Sequence, residues 1–448
     1  MAGANQNPFT LIELLIVTTK KKMQNIFSRD KSAVPTGPLR RSFSEASRQA
    51  SSFTLVELLV VIGILAILTA AVVIVLNPLE YLKQARDTTR ISDLDSIDKS
   101  LAVLGTQGVT SFGTASTVYV SIADNASSTC GSLGLPTLPS GWLYHCVNST
   151  NLQKVDSNGW IPVDFTQSSA LSLAALPIDP INTASTGNYY TYVTGGSWEL
   201  NTILESSKYR DNTNVVKKNL PGVYARGSNI TLSPIYNNSG VVVYWRLDEG
   251  SGTNAIDSSG NGYNGTWSGT GTHYHSPGKV GSYSGQFNGS NDYVSAVPSS
   301  SLSGTFTVMG WGKPNTTATL ALIGTRAPSE TSFDMKFING TEIKADIGNG
   351  TVWITTSASA SFNYSTGTWY HVTYVVTPTS YTIYVNGDNV GSGTYATNTP
   401  LLYDSSHYIY LGQYASAGEN FNGYIDDVRI YNRALSAAEI KAIYDATK

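Results

Sequence analysis

The most pronounced hydrophobic pattern in the chain is an uncharged run of nineteen residues, 58–76, with the sequence LLVVIGILAILTAAVVIVL. At 1.5 Å per residue, a helix of this length measures about 28 Å, which matches the hydrocarbon core of a bilayer. A buried helix of a globular core is the alternative, but such helices seldom run this far without a polar side chain. The pattern therefore predicts a helix that inserts in a membrane.

A second helix is predicted directly after this run, because apolar residues recur at helical spacing between charged ones. They are Leu79, Leu82, Ala85, Ile91, Leu94, Ile97 and Leu101. Pro78 removes a backbone hydrogen bond and crowds the preceding turn, so we expect it to kink one long helix. Two separate helices are the alternative. Gly105 and Gly108 are typical of a helix end.

Residues 109–240 carry short apolar patterns that predict a small sheet. Strands are predicted at 117–122 and 142–147. Residues 188–204 contain two strand patterns around the turn 194–197, which indicates a hairpin. Asp179 and Asn182 are too few to form a metal site, and a turn is the preferred interpretation.

From residue 241 onwards, strand-like runs with period two alternate with turns rich in Gly, Asn and Ser. Regular turns at intervals of about ten residues are typical of an all-β sandwich built from two sheets. Residues 437–446 predict a closing helix.

Composition and charge restrict the class of protein. Only 13% of the 448 residues are charged, whereas Gly (41) and Tyr (27) are frequent, which suits an extracellular, turn-rich β protein. The net charge of −3 argues against a nucleic-acid-binding protein, which normally presents a basic face. Residues 1–52 carry a formal charge of +5 and the remainder −8. This asymmetry predicts a cytoplasmic N-terminus and a translocated body.

Two cysteines, Cys130 and Cys146, lie sixteen positions apart. In a protein with an exported composition, an even number of cysteines favours a disulfide. Two free thiols are the alternative. The surrounding residues do not have the spacing of a zinc site.

Glu57 is unusual at the edge of the apolar run, because a carboxylate beside a lipid-facing segment is costly without a cationic partner. Residues 53–59, FTLVELL, resemble the N-terminus of type IV pilins and of the pseudopilins of type II secretion. In that family a prepilin peptidase cuts before the Phe and methylates its new amine, and the Glu pairs with the amine of a neighbouring subunit. The resemblance implies processing between Ser52 and Phe53, and filament assembly through Phe53 and Glu57.

The leader departs from the family pattern in two respects. Ser52 stands where the family prefers Gly, and the leader is long, at 52 residues. Residues 9–17, FTLIELLIV, nearly repeat residues 53–61, but they end in TTKKK and are too short to span a bilayer. We interpret them as a remnant motif, with Met1 or Met23 as the start of translation.

The C-terminal strands carry a second resemblance. The segments GQFNGSNDYV (285–294), YTIYVNG (381–387) and GYIDDVRIYNRALS (423–436) resemble, in this order, the laminin-G-like, concanavalin A-like jelly-roll family. The family implies recognition of carbohydrate or glycoprotein, often with a structural calcium, which takes oxygen ligands. The candidate ligands by motif match are Asp248, Asp257, Asn261 and Asp426. The alternative is that these residues only build turns.

Sugar sites use exposed aromatic side chains, and several lie in or near predicted loops: Trp267, Tyr274, Trp353, Tyr403 and Tyr414. Trp245, Trp311 and Trp369 lie in strand patterns and are predicted to be core residues. Some relatives on this sandwich are glycoside hydrolases, which need two carboxylates across the scissile bond. No strand carries acids at that spacing, since Asp426 and Asp427 are adjacent. We therefore predict a non-catalytic protein without an organic cofactor.

These patterns together predict an α+β pilin-like N-terminal part, with a long N-terminal helix and a small antiparallel sheet, followed by an all-β two-sheet jelly-roll sandwich. The predicted segments are a basic leader (1–52), a membrane or filament helix (53–104), a pilin-like head (105–225), a linker (226–240) and the sandwich (241–448).

The expected function is that of a minor type IV pilin or pilin-like subunit that displays a lectin-like domain for adhesion at the cell surface. The expected partners are other pilin subunits, the prepilin peptidase, the inner membrane and an extracellular glycan or glycoprotein. An uncleaved membrane-anchored adhesin and a pseudopilin of a type II secretion-like apparatus are the alternatives.

Overall fold

The computed structural model describes residues 55–109, 111–167, 173–210, 212, 215, 220–325, 331–414 and 419–448. The chain divides into two compact units, Met1–Val72 and Val73–Lys448. The leader, Ser52 and Phe53 lie outside the described residues, and the processing site therefore stays a prediction.

Helix α1 (Leu55–Leu76) coincides with the apolar run of the sequence. Its large apolar side chains that are described are exposed, from 45% for Val61 to 79% for Leu55. The side chain of Glu57 lies outside the described part of the chain. Among the described residues, no helix is found that is both long enough and apolar enough to cross a membrane.

Helix α2 (Pro78–Thr106) begins after a single intervening residue. Asn77 has a left-handed backbone with a φ of 38°, and Pro78 occupies the first turn of α2, where its missing N–H is not needed. The expected single kinked helix is therefore wrong, and two helices are present. One face of α2 is buried through Leu94, Ile97, Leu101 and Leu104, which have no exposed surface.

A five-stranded sheet packs against this face of α2. Its strands, in spatial order, are β2 (Leu143–His145), β1 (Thr117–Val120), β3 (Thr191–Thr194), β4 (Trp198–Ile203) and β5 (Val223–Gly227). The predicted hairpin is present as β3 and β4. The expected antiparallel sheet is corrected at one edge, because β1 and β2 run parallel. A connection of more than twenty residues crosses over between them, as parallel pairing requires.

The predicted disulfide joins Cys130 in this crossover connection to Cys146 just after β2. Both cysteines are 2% exposed, and they belong to a buried apolar cluster with Val118 and Val120 of β1. The bond therefore ties the connection to the edge of the sheet.

Two large sheets form the sandwich. Sheet I has the spatial order β20 (Asp388–Thr394), β19 (Ser380–Val385), β18 (Tyr370–Val376), β13 (Phe306–Pro314), β23 (Asn422–Tyr431), β10 (Ser284–Asn288) and β9 (Tyr274–His275), with β6 (Val241–Trp245) also paired to β23. Sheet II has the order β17 (Trp353–Ser361), β16 (Glu342–Gly348), β15 (Phe333–Ile338), β14 (Leu320–Gly324), β22 (Ile409–Leu411), β11 (Tyr293–Ala296), β8 (Gly265–Ser268) and β7 (Asn254–Ala255).

The core of the sandwich lies between the two sheets and is formed by alternate residues of each strand. Val308, Phe333, Tyr374 and Ile425 have no exposed surface within it. Strands β12 (Leu302–Ser303) and β21 (Leu401–Tyr403) form a separate two-stranded ribbon. The predicted all-β sandwich is confirmed.

The outer face of sheet I is largely covered, because the helix–sheet part (residues 78–240) and the C-terminal helix α4 (Ala437–Thr447) pack on it. Helix α3 (Ser207–Arg210) and α4 (Ala437–Thr447) are the two remaining α-helices of the described chain. One buried cluster contains Tyr189 and Tyr236 of the helix–sheet part, Met309 and Tyr431 of sheet I, and Ile443 of α4. Tyr236 lies in the segment predicted as a linker and is 2% exposed. The helix–sheet part and the sandwich thus share a hydrophobic core.

Candidate functional site

The first pair of predicted calcium ligands is engaged by the protein's own backbone. Asp248 Oδ1 accepts hydrogen bonds from the backbone N–H groups of Ser282 and Tyr283, at 2.9 and 3.0 Å. Asp257 Oδ1 accepts from the N–H of Tyr244 at 2.9 Å, and its Oδ2 accepts from that of Tyr263 at 3.0 Å. Both carboxylates therefore organise loops.

The second pair is engaged in the same way. The Asn261 amide donates to the carbonyl oxygens of Val241 and Val242, at 3.1 and 3.0 Å. Asp426 has no exposed surface, and its Oδ2 accepts from the N–H groups of Lys279 and Val280, at 2.7 and 2.9 Å. Burial first, together with Asp427, raises the pKa of Asp426 well above its usual value.

These contacts do not fit a calcium site, which needs several oxygen atoms directed at one point. Asn261 presents its amide nitrogen rather than its oxygen to the neighbouring strand. Among the described residues, no group of three or more His, Cys, Asp or Glu side chains is arranged to hold a metal ion. The alternative interpretation, that these residues build turns, describes what the structure contains.

Four of the loop aromatics proposed as sugar-binding residues are buried instead. Trp267, Tyr274, Tyr403 and Tyr414 are 4%, 7%, 1% and 8% exposed. The Trp267 indole donates to the Tyr274 hydroxyl at 3.0 Å, and this hydroxyl donates to the carbonyl oxygen of Asn254, so both polar groups have partners inside the protein. Trp353 is half-buried at the start of β17. Trp267, Tyr274 and Tyr403 lie in the short strands β8, β9 and β21, which were not recognised in the sequence. Their side chains face the core.

The predicted core tryptophans behave differently from one another. Trp245 and Trp311 are buried, at 0% and 2% exposed, whereas Trp369 is only half-buried. Trp311 points out of sheet I but is covered by α4, where its indole donates to the Thr447 hydroxyl at 3.1 Å. Trp369 lies on the same face, next to β18. Its prediction as a core residue is wrong because the covering layer does not enclose it.

His371 belongs to the covered part of this face. Its ring lies 5.2 Å from that of Trp311 and 6.2 Å from that of Tyr444 on α4. Neither ring nitrogen has a hydrogen-bond partner within the described chain. Burial first lowers the pKa of His371 to about 3, with Arg429 and Lys279 acting in the same direction and Asp427 against it. The side chain is therefore a neutral packing residue.

The uncovered end of the face carries a row of half-buried side chains that crosses several strands. We call Trp369, Lys313, Tyr424 and His275 the aromatic platform. Lys313 of β13 pairs in register with Tyr424 of β23. Strand neighbours of core residues point to the opposite face of a sheet. Tyr370, Ile425 and Tyr274 are core residues, and this places Trp369, Tyr424 and His275 on the outside.

The four side chains of the platform contact one another. The Lys313 ammonium lies 5.2 Å from the centre of the Tyr424 ring and 6.0 Å from that of Trp369. The two rings are 6.4 Å apart and inclined at 47°. The His275 ring is 4.4 Å from that of Tyr424. The platform is thus a contiguous strip of ring faces with a cation between two of them.

A buried charge cluster occupies the outer face of sheet II. Asp334 of β15 and Asp346 of β16 are cross-strand partners. The Lys336 ammonium lies 3.2 Å from Asp334 and 2.9 Å from Asp346, and it is 5% exposed. Burial opposes its charge, but the two carboxylates outweigh this and raise the pKa of Lys336. The two carboxylates therefore share one lysine as their counter-charge.

A cleft of about 1060 Å³ separates loops of the helix–sheet part from the sandwich. Trp142, Pro136 and Tyr384 contribute to its walls. Two of its charged residues, Arg433 and Glu439, form an ion pair with each other at 2.7 Å. Sequence reasoning did not anticipate the cleft, since it forms only where the two parts meet.

Two family models match the chain. One, described as the prokaryotic N-terminal methylation motif, matches residues 47–73. The other, described as the concanavalin A-like lectin/glucanases superfamily, matches residues 288–441. Both resemblances drawn from the sequence are confirmed. A search of curated proteins finds no match.

Solved structures resemble part of the chain. Domain 4 of AbnA, an extracellular arabinanase from Geobacillus stearothermophilus in complex with arabinotriose, is 23% identical, with 46% of this chain and 98% of that chain covered and a TM-score of 0.34. The binding domain of Paraclostridial mosquitocidal protein 1 is 16% identical, with 46% and 52% covered and a TM-score of 0.35. The receptor binding domain of botulinum neurotoxin type G is 20% identical, with 46% and 51% covered and a TM-score of 0.34. The chain spans about half the length of these two toxin structures.

Proposed function

We propose that this chain, which carries a prokaryotic N-terminal methylation motif and a concanavalin A-like lectin domain, is a bacterial surface protein that binds carbohydrate. The observation that carries the binding part is the aromatic platform, where Trp369 and Tyr424 remain half-exposed at the uncovered end of sheet I. Ring faces of this kind stack on the apolar face of a sugar, and the phenol and indole can bond its hydroxyl groups.

The finer proposal is a minor type IV pilin or pilin-like subunit that displays this lectin domain for adhesion. The methylation motif supports it, as does a helix that leads into a small α+β part. The precursor is held in the inner membrane, the prepilin peptidase cuts before Phe53, and Glu57 pairs with the amine of another pilin subunit. A sandwich of this size on every subunit would crowd a filament, which favours a minor or tip position.

Ser52 favours a second candidate, an uncleaved membrane-anchored adhesin, because it replaces the Gly that the peptidase prefers. A pseudopilin of a secretion apparatus, in which the sandwich engages exported cargo, is a third candidate. Mass spectrometry of the mature N-terminus separates the first two. N-methylated Phe53 supports the pilin, and an intact leader supports the anchored adhesin.

Binding without hydrolysis is the proposed activity. The cross-strand acids of sheet II, Asp334 and Asp346, share Lys336, whereas a glycosidase needs one protonated and one ionised carboxyl group. Incubation with any bound oligosaccharide is expected to leave it intact by mass spectrometry, and release of a shorter sugar would contradict the proposal.

The binding proposal is tested with the purified full-length chain on a glycan array. We expect binding that Trp369→Ala or Tyr424→Ala weakens at least about ten-fold, a loss of about 1.4 kcal/mol. Tyr408→Ala is the matched control, since this tyrosine is 37% exposed and lies directly before β22 of sheet II. Equal binding by all three variants would exclude the platform as the site.

A further inference from the structure

The charge of Lys313 is unmatched in the described chain. Its ammonium lies over the rings of Tyr424 and Trp369, and no carboxylate of the described residues forms an ion pair with it. Lys336 on the opposite side of the sandwich is the contrast, with three carboxylates within 3.5 Å. A lysine with a purely structural role is expected to have carboxylate partners, as Lys336 does, because a half-buried cation is costly without a counter-charge.

The indole N–H of Trp369, like that of Trp142, has no hydrogen-bond partner among the described residues. The indole N–H groups of Trp160, Trp198, Trp245, Trp267 and Trp311 all donate to a group of the fold. That of Trp369 donates to no group within the described chain, and the Tyr424 hydroxyl makes no hydrogen bond there either. The platform therefore presents an ammonium, an indole N–H and a phenol that are all available to a ligand.

The neighbouring positions on this face add positive charge. Trp311 and Lys313 alternate along β13 on the outer side, about 7 Å apart, and the Lys279 ammonium lies 4.5 Å over the Trp311 ring. Burial, and then the charge of Arg210, lower the pKa of Lys279 to about 8, while Asp426 acts in the opposite direction. The acid closest in register, Asp426, is fully buried and bonded to backbone amides. The electrostatic surroundings therefore favour an anion.

We infer that the aromatic platform binds a carboxylated sugar, a uronate or a sialate, and that Lys313 receives its carboxylate while Trp369 and Tyr424 stack on the ring. This inference rests on the proposed carbohydrate binding and names its ligand class. An ammonium held above two ring faces can reach a carboxylate on the edge of a sugar that stacks on those rings. The charge-assisted hydrogen bond between ammonium and carboxylate is stronger than one to a neutral hydroxyl. Half-burial reduces the competition from water.

The test compares ligands that differ only in charge. Full-length chain is titrated calorimetrically with trigalacturonate and with its methyl ester, and in a second arm with sialyllactose and with the methyl ester of its sialate, which separates the two sugar sources. We expect at least a ten-fold preference for the acid in one arm, and a preference that decreases at high salt. Lys313→Gln should abolish the preference, Lys313→Arg should retain it, and Trp369→Ala should weaken both ligands. Lys344→Gln, a half-buried lysine of sheet II, is the control and should change nothing.

The outcomes distinguish this inference from the proposed function. Equal affinity for acid and neutral sugars would overturn the inference and leave carbohydrate binding intact. No affinity for any sugar would overturn both. Binding of polyglutamate as tight as that of the acidic sugar, with no effect of Trp369→Ala, would identify a site for acidic peptides and also overturn it. The melting temperature of each variant must match that of the natural chain for the comparison to count.

Discussion

Arg90 of α2 and Asp179, 89 positions later in the chain, form a two-pronged ion pair in the interior, with Nε–Oδ2 at 2.6 Å and Nη2–Oδ1 at 3.0 Å. Neither side chain is exposed. Burial opposes the charge of Arg90, but its bonds to Asp179 and Glu205 outweigh this and raise its pKa. The pair fastens α2 to the loop that leads into the sheet.

Replacing one partner of this pair should be severe. Asp179→Asn leaves a buried guanidinium without one of its two closest counter-charges. We expect a loss of about 3–5 kcal/mol in the free energy of unfolding, measured in urea. Asp156→Asn changes an exposed acid, and its free energy of unfolding should stay within about 0.5 kcal/mol of that of the natural chain. Similar losses for the two variants would mean that the ion pair does not stabilise the helix–sheet part.

The Cys130–Cys146 bond should stabilise the protein by shortening the free chain of the unfolded state. For a separation of sixteen residues, the expected contribution is about 3 kcal/mol. Reduction with dithiothreitol should lower the melting temperature of the natural chain, and the double variant Cys130→Ser/Cys146→Ser should already melt at the lower temperature. A reductant-dependent shift that persists in the double variant would contradict this assignment.

The core shared by the helix–sheet part and the sandwich should make them unfold together. Ile443 of α4 is 3% exposed within that core, and Ile443→Ala should cost about 2–5 kcal/mol. Hydrogen exchange read by mass spectrometry should show equal loss of protection in peptides from β4 and from β13. Ile256→Ala, at a position 53% exposed, is the control and should leave both unchanged. Loss confined to β13 would show that the two parts unfold independently.

His371 should make the protein less stable in acid. Its pKa is about 3 in the folded chain and about 6.5 when unfolded, so the unfolded state takes up the proton first. Its contribution is complete above pH 6.5 and decreases by up to about 1.4 kcal/mol per unit as the pH falls towards 3. The buried Asp426 carboxyl, with a raised pKa, acts in the opposite direction. The difference between the natural chain and His371→Phe, measured by urea unfolding from pH 7 to 4, isolates the histidine. If the free energy of unfolding depended on pH in the same way for the two proteins, the lowered pKa of His371 would be refuted.

Calcium should not affect stability. The four residues selected by motif match already use their polar atoms within the fold, as Asp248 and Asp257 illustrate. A ligand present at 100 times its Kd would add about 2.7 kcal/mol, so melting temperatures in EDTA and in millimolar calcium should coincide. A calcium-dependent increase that Asp257→Asn abolishes would restore the metal site.

Local sequence patterns predicted the secondary-structure elements well, but they were less successful in predicting which side chains are buried. The hairpin of β3 and β4, the disulfide and the sandwich follow from alternation, turn residues and cysteine count. The interruption at Asn77 was missed, because Pro78 is compatible both with a kink and with the first turn of a new helix. Trp369 and Trp311 both lie in strand patterns, and no local signal separates the half-exposed one from the buried one.

The sequence by itself determined which segments are apolar, which stretch carries the methylation motif, and that strands with period two build a sandwich. These properties depend on neighbours in the chain. Only the tertiary structure decided which outer face is covered, because helix α4 and the helix–sheet part reach sheet I from positions far from β13 in the chain. Their packing buries Trp311 and leaves Trp369, Lys313 and Tyr424 at the edge of the covered area. The proposed ligand-binding surface therefore depends on which elements pack on the sheet, and alternation along a strand cannot specify it.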